Sequence, residues 1–385
     1  MGDMCLGLVF DFKFRLCNSY RRGLFLYFVS LLFVCVLFFS CFVLMFAGVS
    51  SFVLGASGTV VRNEAELTDA VNNAIFGSGV IIFDTDIVLT TELRIPMGKD
   101  IELLSNSETE FFKLFGADGE STIFVDDGGL LRLGGVIVTH GSGGNGRGVT
   151  VNPTGMFILS GGEISGNSVS RGDGGGVYNS GTFVMEGGVI SYNVAYSLGG
   201  GVFNSGVFKM SNGLITDNVA SFGGGMYNQD GDFVLSGGVI SYNTANWDGG
   251  GMYNQDGDFV LSGGVISYNT AFKNGGGLCV SYFETLENVF VDDGVVFENN
   301  CASKAYDRDA SHDILYNSHI GSDVVWSSPF TQGYNNYDIS YTWGSLYNDK
   351  KGYEFFVMVV LIVVIGVVVS VFYGRKRRSQ KKVKI

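Results

Sequence analysis

The chain has 385 residues, with 58 glycines, only 3 prolines and a formal net charge of −13. The scarcity of proline excludes collagen, and a content of 46% hydrophobic residues argues against a disordered linker. Three histidines and six scattered cysteines leave little material for a zinc site or a disulfide framework. Between residues 56 and 354 there are 13 Lys and Arg against 35 Asp and Glu, and so acidic a body disfavours nucleic acid as a partner.

Residues 1–55 combine a basic leader with a long apolar segment. Four basic residues, the last two being Arg21 and Arg22, precede the apolar run 24–47. The order of basic, apolar and small residues is that of a secretory signal, although the run exceeds the usual core of about 7–15 residues. We therefore expect a cleaved signal peptide or a retained signal anchor, with the leader in the cytoplasm and the chain exported from about residue 56.

Residues 56–316 are predicted to form the exported domain, and its first element is a short helix. Asn63 with Glu66 is related to a capping box, and apolar residues follow at helical spacing. These features predict an amphipathic helix over 64–75, which would cap the first coil of the domain. Apolar residues over 80–150 predict looser strands in the first, irregular coils.

Residues 155–277 contain the clearest copies of a repeat of about 25 residues. Gly-Gly-Gly occurs five times between 174 and 277, and residues 223–245 are identical to 249–271. Apolar residues alternate within each unit, which predicts three short strands whose alternate side chains face inward. The predicted inward residues are Phe183, Met185, Ile190, Phe208, Met210, Ile215, Phe233, Leu235, Ile240, Phe259, Leu261 and Ile266. Strands this short can pair only between successive coils, so the predicted fold is all-β: a right-handed parallel β-helix solenoid.

Asparagine recurs at two fixed positions of the repeat. The first column contains Asn179, Asn204, Asn228 and Asn254, and the second contains Asn167, Asn193, Asn218, Asn243 and Asn269. Asparagine tolerates the left-handed backbone region, and its amide can hydrogen-bond to copies in the coils above and below. Both columns are therefore predicted to be structural rather than ligand-binding.

The C-terminal part of the chain predicts a membrane anchor. Residues 317–354 are expected to close the solenoid and lead to the membrane. The segment 355–373 has 19 residues without charge or proline, enough for a transmembrane helix across a core of about 30 Å. Seven basic residues follow within 374–385, which places this tail in the cytoplasm. No LPxTG-type sorting signal precedes the span, so we expect a retained anchor.

The repeat G-x-F-x-M-x-x-G-x-I-x-x-N-x-A, followed by Gly-Gly-Gly-Val-Tyr-Asn, resembles that of microbial adhesin-like surface proteins with pectate-lyase-fold repeats. The resemblance covers about residues 60–315 and implies adhesion or cell-envelope interaction. We expect a plasma-membrane protein with an extracellular β-helix that binds glycans or other envelope or host-surface ligands. The alternatives are a polysaccharide lyase or glycoside hydrolase on the same fold, and a structural envelope component. Because no lyase or hydrolase signature occurs in the sequence, an enzyme is the less favoured interpretation.

Two aromatic columns are candidates for stacking on sugar rings. The first contains Tyr178, Phe203, Tyr227 and Tyr253, and the second contains Tyr242 and Tyr268. The second column is predicted to face outward, because Asp217 occupies the same position in an earlier repeat. The alternative for both columns is that ring pairing only stabilises the stack of coils.

Four aspartates form the only metal hypothesis. Asp230 and Asp232 recur one repeat later as Asp256 and Asp258, so four carboxylates would crowd together unless they are solvated or bridged by a cation. Calcium is one interpretation, and Asp-Gly turn formation is the favoured one. No other cofactor is expected.

The exported part contains two cysteines, Cys279 and Cys301. They lie about one coil apart in the sequence. They could therefore form a disulfide, or they could remain free thiols.

Overall fold

The computed structural model describes residues 58–75, 79–107, 110–141, 143–302 and 337–343. They form an all-β parallel solenoid of the right-handed type, with about nine coils of about 26 residues. Strands of successive coils pair in parallel, as Phe208 pairs with Phe183 and Phe233 in sheet A. The register shifts within one pair of strands, after Ala220. The predicted fold class is confirmed.

Within the described residues the strands form four sheets, A to D. Sheet A comprises Thr59–Val61, Gly79–Phe83, Asp100–Ser105, Leu130–Leu133, Met156–Leu159, Thr182–Met185, Val207–Met210, Asp232–Leu235, Phe259–Leu261 and Val289–Val291. Sheet B comprises Ile87–Val88, Lys113–Phe115, Ile137–Thr139, Glu163–Ser165, Val189–Ser191, Leu214–Thr216, Val239–Ser241, Gly264–Ser267 and Val295–Glu298. Sheet C comprises Leu93–Ile95, Ile123–Val125, Val149–Val151, Val177–Asn179, Val202–Asn204, Met226–Asn228, Met252–Asn254, Leu278–Tyr282 and Ile339–Trp343. Sheet D comprises Ser168–Val169, Val194–Ala195, Val219–Phe222, Thr244–Asp248, Thr270–Ala271 and Cys301–Ala302.

Each regular coil passes through the sheets in the order C, A, B, D. The coil that begins at Gly174, for example, contains Val177–Asn179, Thr182–Met185, Val189–Ser191 and Val194–Ala195. The repeat was expected to hold three strands, and the strand of sheet D is an additional fourth. The inward residue of this strand is alanine in four successive coils. Because alanine is small, the alternation of apolar and polar residues that would indicate a strand is weak in each copy of the repeat. The column comprises Ala195, Ala220, Ala245 and Ala271.

A single hydrophobic core runs along the axis of the solenoid. The predicted inward residues of sheets A and B are all fully buried, which confirms the inward face. Five phenylalanines of sheet A stack with ring centroids 4.5–5.0 Å apart between successive coils, namely Phe157, Phe183, Phe208, Phe233 and Phe259. All five rings are fully buried, and truncation of one of them to alanine costs about 3–5 kcal/mol.

The glycine triplets are required by two different physical constraints. Gly249 has a φ of +71°, which a residue with a side chain rarely adopts. A Cβ on Gly250 would lie 2.6 Å from the carbonyl oxygen of Gly276, and one on Gly251 would lie 2.7 Å from that of Gly277. Positive φ therefore explains the first glycine, and close contact between coils explains the other two.

One α-helix, Glu64–Asn73, lies at the N-terminal end of the described solenoid. The Asn63 side chain accepts a hydrogen bond from the backbone N–H of Glu66 at 3.0 Å, as the capping motif predicted. Leu67 and Val71 are buried and belong to the central core. The helix is therefore two residues shorter than predicted, and its apolar side contributes to the same core as the strands.

At the C-terminal end, Ile339–Trp343 pairs in parallel with Leu278–Tyr282. Ile339 and Tyr341 are buried in the core. This strand lies within the predicted closing segment 317–354, and the 3₁₀-helix Phe283–Asn288 leads into the last strand of sheet A.

The predicted leader with its apolar run (1–55), the predicted span (355–373) and the basic tail (374–385) lie outside the described residues. Across the part of the chain that is described, no helix has the length and apolar character needed to cross a membrane.

Candidate functional site: an exposed aromatic face

The first aromatic column lies on the outer side of sheet C. Tyr178, Phe203, Tyr227 and Tyr253 stack with nearly parallel rings, and their centroids are 4.7–6.0 Å apart in successive coils. Three of these rings are nevertheless only 4–6% exposed, and Tyr178 is half-buried. The expectation that this column presents ring faces to a sugar is wrong for Phe203, Tyr227 and Tyr253. We call it the covered column.

The cover comes from residues that precede the glycine triplets. Leu198 and Phe222 pack against the covered column. The Phe222 ring meets Tyr253 edge to face, with centroids 5.7 Å apart and planes at 74°. At the N-terminal end of the column, the Arg147 guanidinium lies 4.8 Å from the centre of the Tyr178 ring. Side chains of the turn beyond sheet D thus form a second, external apolar cluster.

Burial changes the acid–base properties of the covered column. Desolvation raises the pKa of Tyr253 to about 12, and it raises the pKa of Tyr227 still further. The hydroxyl of Tyr227 donates to Gln255 Oε1 at 2.7 Å, and that of Tyr253 lies 3.1 Å from Thr342 Oγ1. The phenols are satisfied within the fold, so the column has a structural role.

The second aromatic column lies at the turn between sheets B and D and is open to solvent. Tyr242 and Tyr268 are 55% and 44% exposed, with ring centroids 5.0 Å apart and planes at 5°. The predicted outward orientation is confirmed. Tyr192 and Asp217 occupy the same position in earlier coils, and all four residues have φ between 54° and 56°. This left-handed conformation costs on the order of 1 kcal/mol or more per residue and persists only where the surroundings enforce it.

The second asparagine column enforces this turn. Each asparagine directly follows a residue of the second aromatic column or its equivalent. Its Nδ2 donates to Oδ1 of the asparagine one coil on, at 2.9–3.1 Å from Asn167 through Asn300. The backbone N–H donates to the same oxygen, as from Asn193 to Asn218 at 3.0 Å. The described ladder residues are buried, so each turn is fastened to the next along the solenoid.

The ladder extends beyond the residues predicted from the repeat. At its start, His140 Nδ1 lies 2.9 Å from Asn167 Oδ1. At its end, Asn300 Nδ2 donates to Asp338 Oδ1 at 2.9 Å. His140 and Asp338 could not be recognised from the repeat, because by strand register neither lies at the asparagine position.

The first asparagine column forms a second ladder inside the turn between sheets C and A. Asn179, Asn204, Asn228 and Asn254 are fully buried. Nδ2 of each of the first three donates to Oδ1 of the next at 2.7–2.9 Å, and Nδ2 of Asn254 donates to the carbonyl oxygen of Gly257 at 3.3 Å. The same nitrogens also reach backbone carbonyls, such as Asp232 O from Asn204 at 3.2 Å. These contacts satisfy buried polar groups and leave no free amide for a ligand.

Exposed aromatic side chains gather around sheet D. Three of them lie at the turn that enters this sheet, two lie directly after its strands, and one lies within the strand Thr244–Asp248. We define the aromatic face as Tyr192, Tyr242, Tyr268, Tyr196, Trp247 and Phe272, which are 44–72% exposed. The last three were not predicted. Tyr196 and Phe272 share a position, but the two coils between them have Ser221 and Asn246 there, and Trp247 has no aromatic counterpart in the other copies.

The Trp247 ring connects this face to the covered column. Phe222 stacks on Trp247 with centroids 6.4 Å apart, and the Lys273 ammonium lies 3.7 Å from the centre of the indole. Both contacts hold the tryptophan in place while nearly half of its surface stays in water. Exposed apolar patches of this kind are typical of binding surfaces.

The four aspartates of the calcium hypothesis lie at or beside the turn between sheets C and A, and all are exposed. Asp230 has a φ of 56°, and Asp256 Oδ1 accepts hydrogen bonds from Gly257 N–H at 2.9 Å and Asn288 Nδ2 at 3.2 Å. No group of three or more His, Cys, Asp or Glu side chains could hold a metal ion among the residues that the structure describes. By the pairing of Phe233 with Phe259, Asp232 and Asp258 are neighbours in adjacent coils, while Asp230 and Asp256 lie in turns. Calcium binding by Asp230, Asp232, Asp256 and Asp258 stays a prediction.

Cys279 and Cys301 are free thiols and lie on different sheets. Cys279 continues the covered column and is buried, and this burial raises the pKa of its thiol well above the usual value. Cys301 is exposed in sheet D. The disulfide alternative is wrong. Residues in successive coils lie next to each other only if they occupy the same position in the repeat, and these two cysteines occupy different positions.

Comparison of the chain with protein-family models, with curated proteins and with solved structures finds no match.

Proposed function

We propose that this chain is a membrane-anchored, adhesin-like cell-surface protein whose β-solenoid binds glycans through the aromatic face. The concentration of six exposed aromatic side chains around sheet D carries this proposal. Tyrosine and tryptophan supply large, amphipathic contact area at low cost in conformational entropy, which suits the alternating apolar and hydroxyl surfaces of a sugar.

The charge of the solenoid supports a neutral glycan. Residues 56–354 have a net charge of −22, from 13 Lys and Arg and 35 Asp and Glu. Like charge juxtaposed across an interface opposes association, so uronate-rich or sulfated polysaccharides are poor partners. A neutral polysaccharide meets no such repulsion.

The apolar segment 355–373 and the basic tail 374–385 support an anchored topology. A span of 19 apolar residues followed by seven basic residues places the tail in the cytoplasm and the solenoid outside the cell. In this arrangement the helix Glu64–Asn73 would cap the N-terminal end of the solenoid, and the anchor would follow its C-terminal end in the sequence. Its buried Leu67 and Val71 suit such a cap.

The proposal is tested with the full chain in a detergent that lacks a sugar headgroup. Retention on immobilised neutral and acidic polysaccharides is measured together with release of shortened products. We expect retention on a neutral polysaccharide without cleavage. A double variant in the aromatic face, Tyr196→Ala with Phe272→Ala, should weaken retention several-fold.

The matched control changes two exposed aromatic residues outside the face, Phe111→Ala with Phe290→Ala. Equal retention of both double variants would contradict binding through the face. Product release would instead favour a lyase or hydrolase, and self-association without glycan retention would favour a structural envelope component.

A further inference from the structure

The exposed tyrosine column is interrupted in a single coil. The column contains, in successive coils, Tyr192, Asp217, Tyr242 and Tyr268. The residues directly before the first three pair in register, Ser191 with Thr216 and Thr216 with Ser241. Neighbouring strands lie about 4.8 Å apart, so Tyr192 and Tyr242 are about 10 Å apart with the shorter Asp217 between them. The replacement of a ring by a carboxylate leaves a slot between two tyrosines.

The width of this slot corresponds to one inserted sugar ring. Carbon atoms in contact lie about 3.5–4.0 Å apart, so a ring held between two parallel rings needs about 8 Å between them. A gap of about 10 Å leaves room for a puckered pyranose chair. The adjacent gap between Tyr242 and Tyr268, with centroids 5.0 Å apart, admits nothing.

Both walls of the slot are exposed, and one is reinforced. Tyr192 is 64% exposed and Tyr242 is 55% exposed. Tyr268 stacks on the far side of Tyr242. The asparagine ladder fastens the backbone directly after each wall, at Asn193 and Asn243. A site with walls held in place loses little entropy when a ligand binds.

Asp217 provides polar contacts at the base of the slot. Thr216 Oγ1 donates to Asp217 Oδ2 at 2.8 Å, which orients the carboxylate. Within the described residues, Asp217 has no ion pair with Lys or Arg. Its oxygens can therefore accept hydrogen bonds from sugar hydroxyls, and charge-assisted bonds of this type are stronger than neutral ones.

We infer that Tyr192, Asp217 and Tyr242 form a subsite for one pyranose unit of a neutral glycan. The two rings contact the apolar faces of the sugar, and the carboxylate accepts from its hydroxyls. The negative charge of Asp217 excludes a uronate at this position. This inference rests on the proposed glycan-binding function and assigns its main subsite.

The decisive variant fills the slot. Asp217→Tyr places a ring where three other coils already have tyrosine at the same backbone conformation, so the variant is expected to fold. Tyr192→Asn removes one wall and keeps a residue that tolerates the left-handed turn. Phe290→Ala, an exposed aromatic on the outer side of sheet A, is the matched control.

Binding of cellohexaose, mannohexaose, xylohexaose and hexagalacturonic acid to the full chain is measured by calorimetry, with circular dichroism as the folding check. We expect at least one neutral hexaose to bind, with affinity reduced tenfold or more by Asp217→Tyr and by Tyr192→Asn and unchanged by Phe290→Ala. Hexagalacturonic acid should bind more weakly than the neutral probes.

Unchanged affinity of a neutral hexaose in folded Asp217→Tyr and Tyr192→Asn would overturn the slot while leaving glycan binding by the chain intact. Tighter binding of hexagalacturonic acid than of the neutral probes would also overturn it. Failure of the unmodified chain to bind any probe or immobilised polysaccharide would overturn both the slot and the proposed function.

Discussion

The two aromatic columns share the same stacked geometry and differ in their exposure. Tyr227 and Tyr253 in the covered column have centroids 5.0 Å apart, the same separation as Tyr242 and Tyr268 at the turn into sheet D. The first pair is 5–6% exposed and the second pair is 44–55% exposed. A parallel solenoid stacks identical residues wherever they recur, so stacking by itself does not distinguish a binding surface from a packed one.

The difference arises from a third group of residues. Leu198, which follows one strand of sheet D, and Phe222, the last residue of the next strand, cover sheet C. Among the described residues, nothing comparable covers the tyrosines at the turn before sheet D, which stay exposed. Exposure is therefore a property of the neighbouring turn rather than of the column. The following predictions proceed from the largest expected effect to the smallest.

Removal of a ring from the covered column should destabilise the fold most. Tyr227→Ala deletes a buried ring and its hydrogen bond to Gln255, and we expect a loss of about 3–4 kcal/mol in the free energy of unfolding. The matched change in the exposed column, Tyr242→Asn, should cost less than about 1 kcal/mol, because its ring is mostly in water. Chemical denaturation of both variants measures the contrast, and equal losses would contradict it.

Alkaline pH should weaken the fold through the covered column. The pKa of Tyr253 is about 12 in the folded chain because burial disfavours the phenolate, against an ordinary value of 10.0. The unfolded chain therefore releases this proton first. Stability is fully present below pH 10 and is lost as the pH rises toward 12, by up to about 2–3 kcal/mol.

The measurement is denaturant unfolding at a series of pH values, with Tyr253→Phe as the control. That variant keeps the ring and removes the ionisable hydroxyl, so its stability should fall less steeply over this window. An identical pH dependence in the two proteins would show that Tyr253 contributes nothing to alkaline unfolding.

Removal of the cover should make the two columns more alike. Phe222→Ala opens the outer side of the cluster, and because Phe222 is only half-buried we expect a loss of about 2 kcal/mol. The pKa of Tyr253 should fall toward its ordinary value as water reaches the hydroxyl, which ultraviolet titration of the phenolate detects. The control is Tyr196→Ala, which removes a largely exposed ring and should change neither the free energy of unfolding nor the pKa of Tyr253. An unchanged phenolate titration in Phe222→Ala would mean that other residues cover Tyr253.

Extension of the exposed column should stabilise the fold slightly. Asp217→Tyr creates ring pairs with Tyr192 and Tyr242, and each aromatic pair contributes about 0.5–1.5 kcal/mol beyond area burial. We expect a net gain of about 1 kcal/mol, measured as a higher midpoint of denaturation. Asp217→Asn keeps the turn without adding a ring and should leave the midpoint nearly unchanged; a lower midpoint in Asp217→Tyr would show that the rings do not align there.

Part of the aromatic face could be predicted from residue spacing, and the features that could not be predicted depend on positions where the repeat varies. The outward orientation of Tyr242 and Tyr268 followed from the presence of Asp217 in the same column. The burial of Tyr227 and Tyr253 did not follow, since their cover comes from positions where the repeat varies in length and composition. Trp247 was missed for the same reason.

The sequence by itself determined the period of the coil, the inward residues of sheets A and B, and the two asparagine columns. These features follow from local backbone preference and from the stacking of identical positions, which any parallel solenoid of this period imposes. Only the tertiary structure decided which outward column is covered and where the four aspartates and the two cysteines lie. Those outcomes depend on contacts between different sheets, and such contacts are set by how each turn packs across the surface rather than by the repeat.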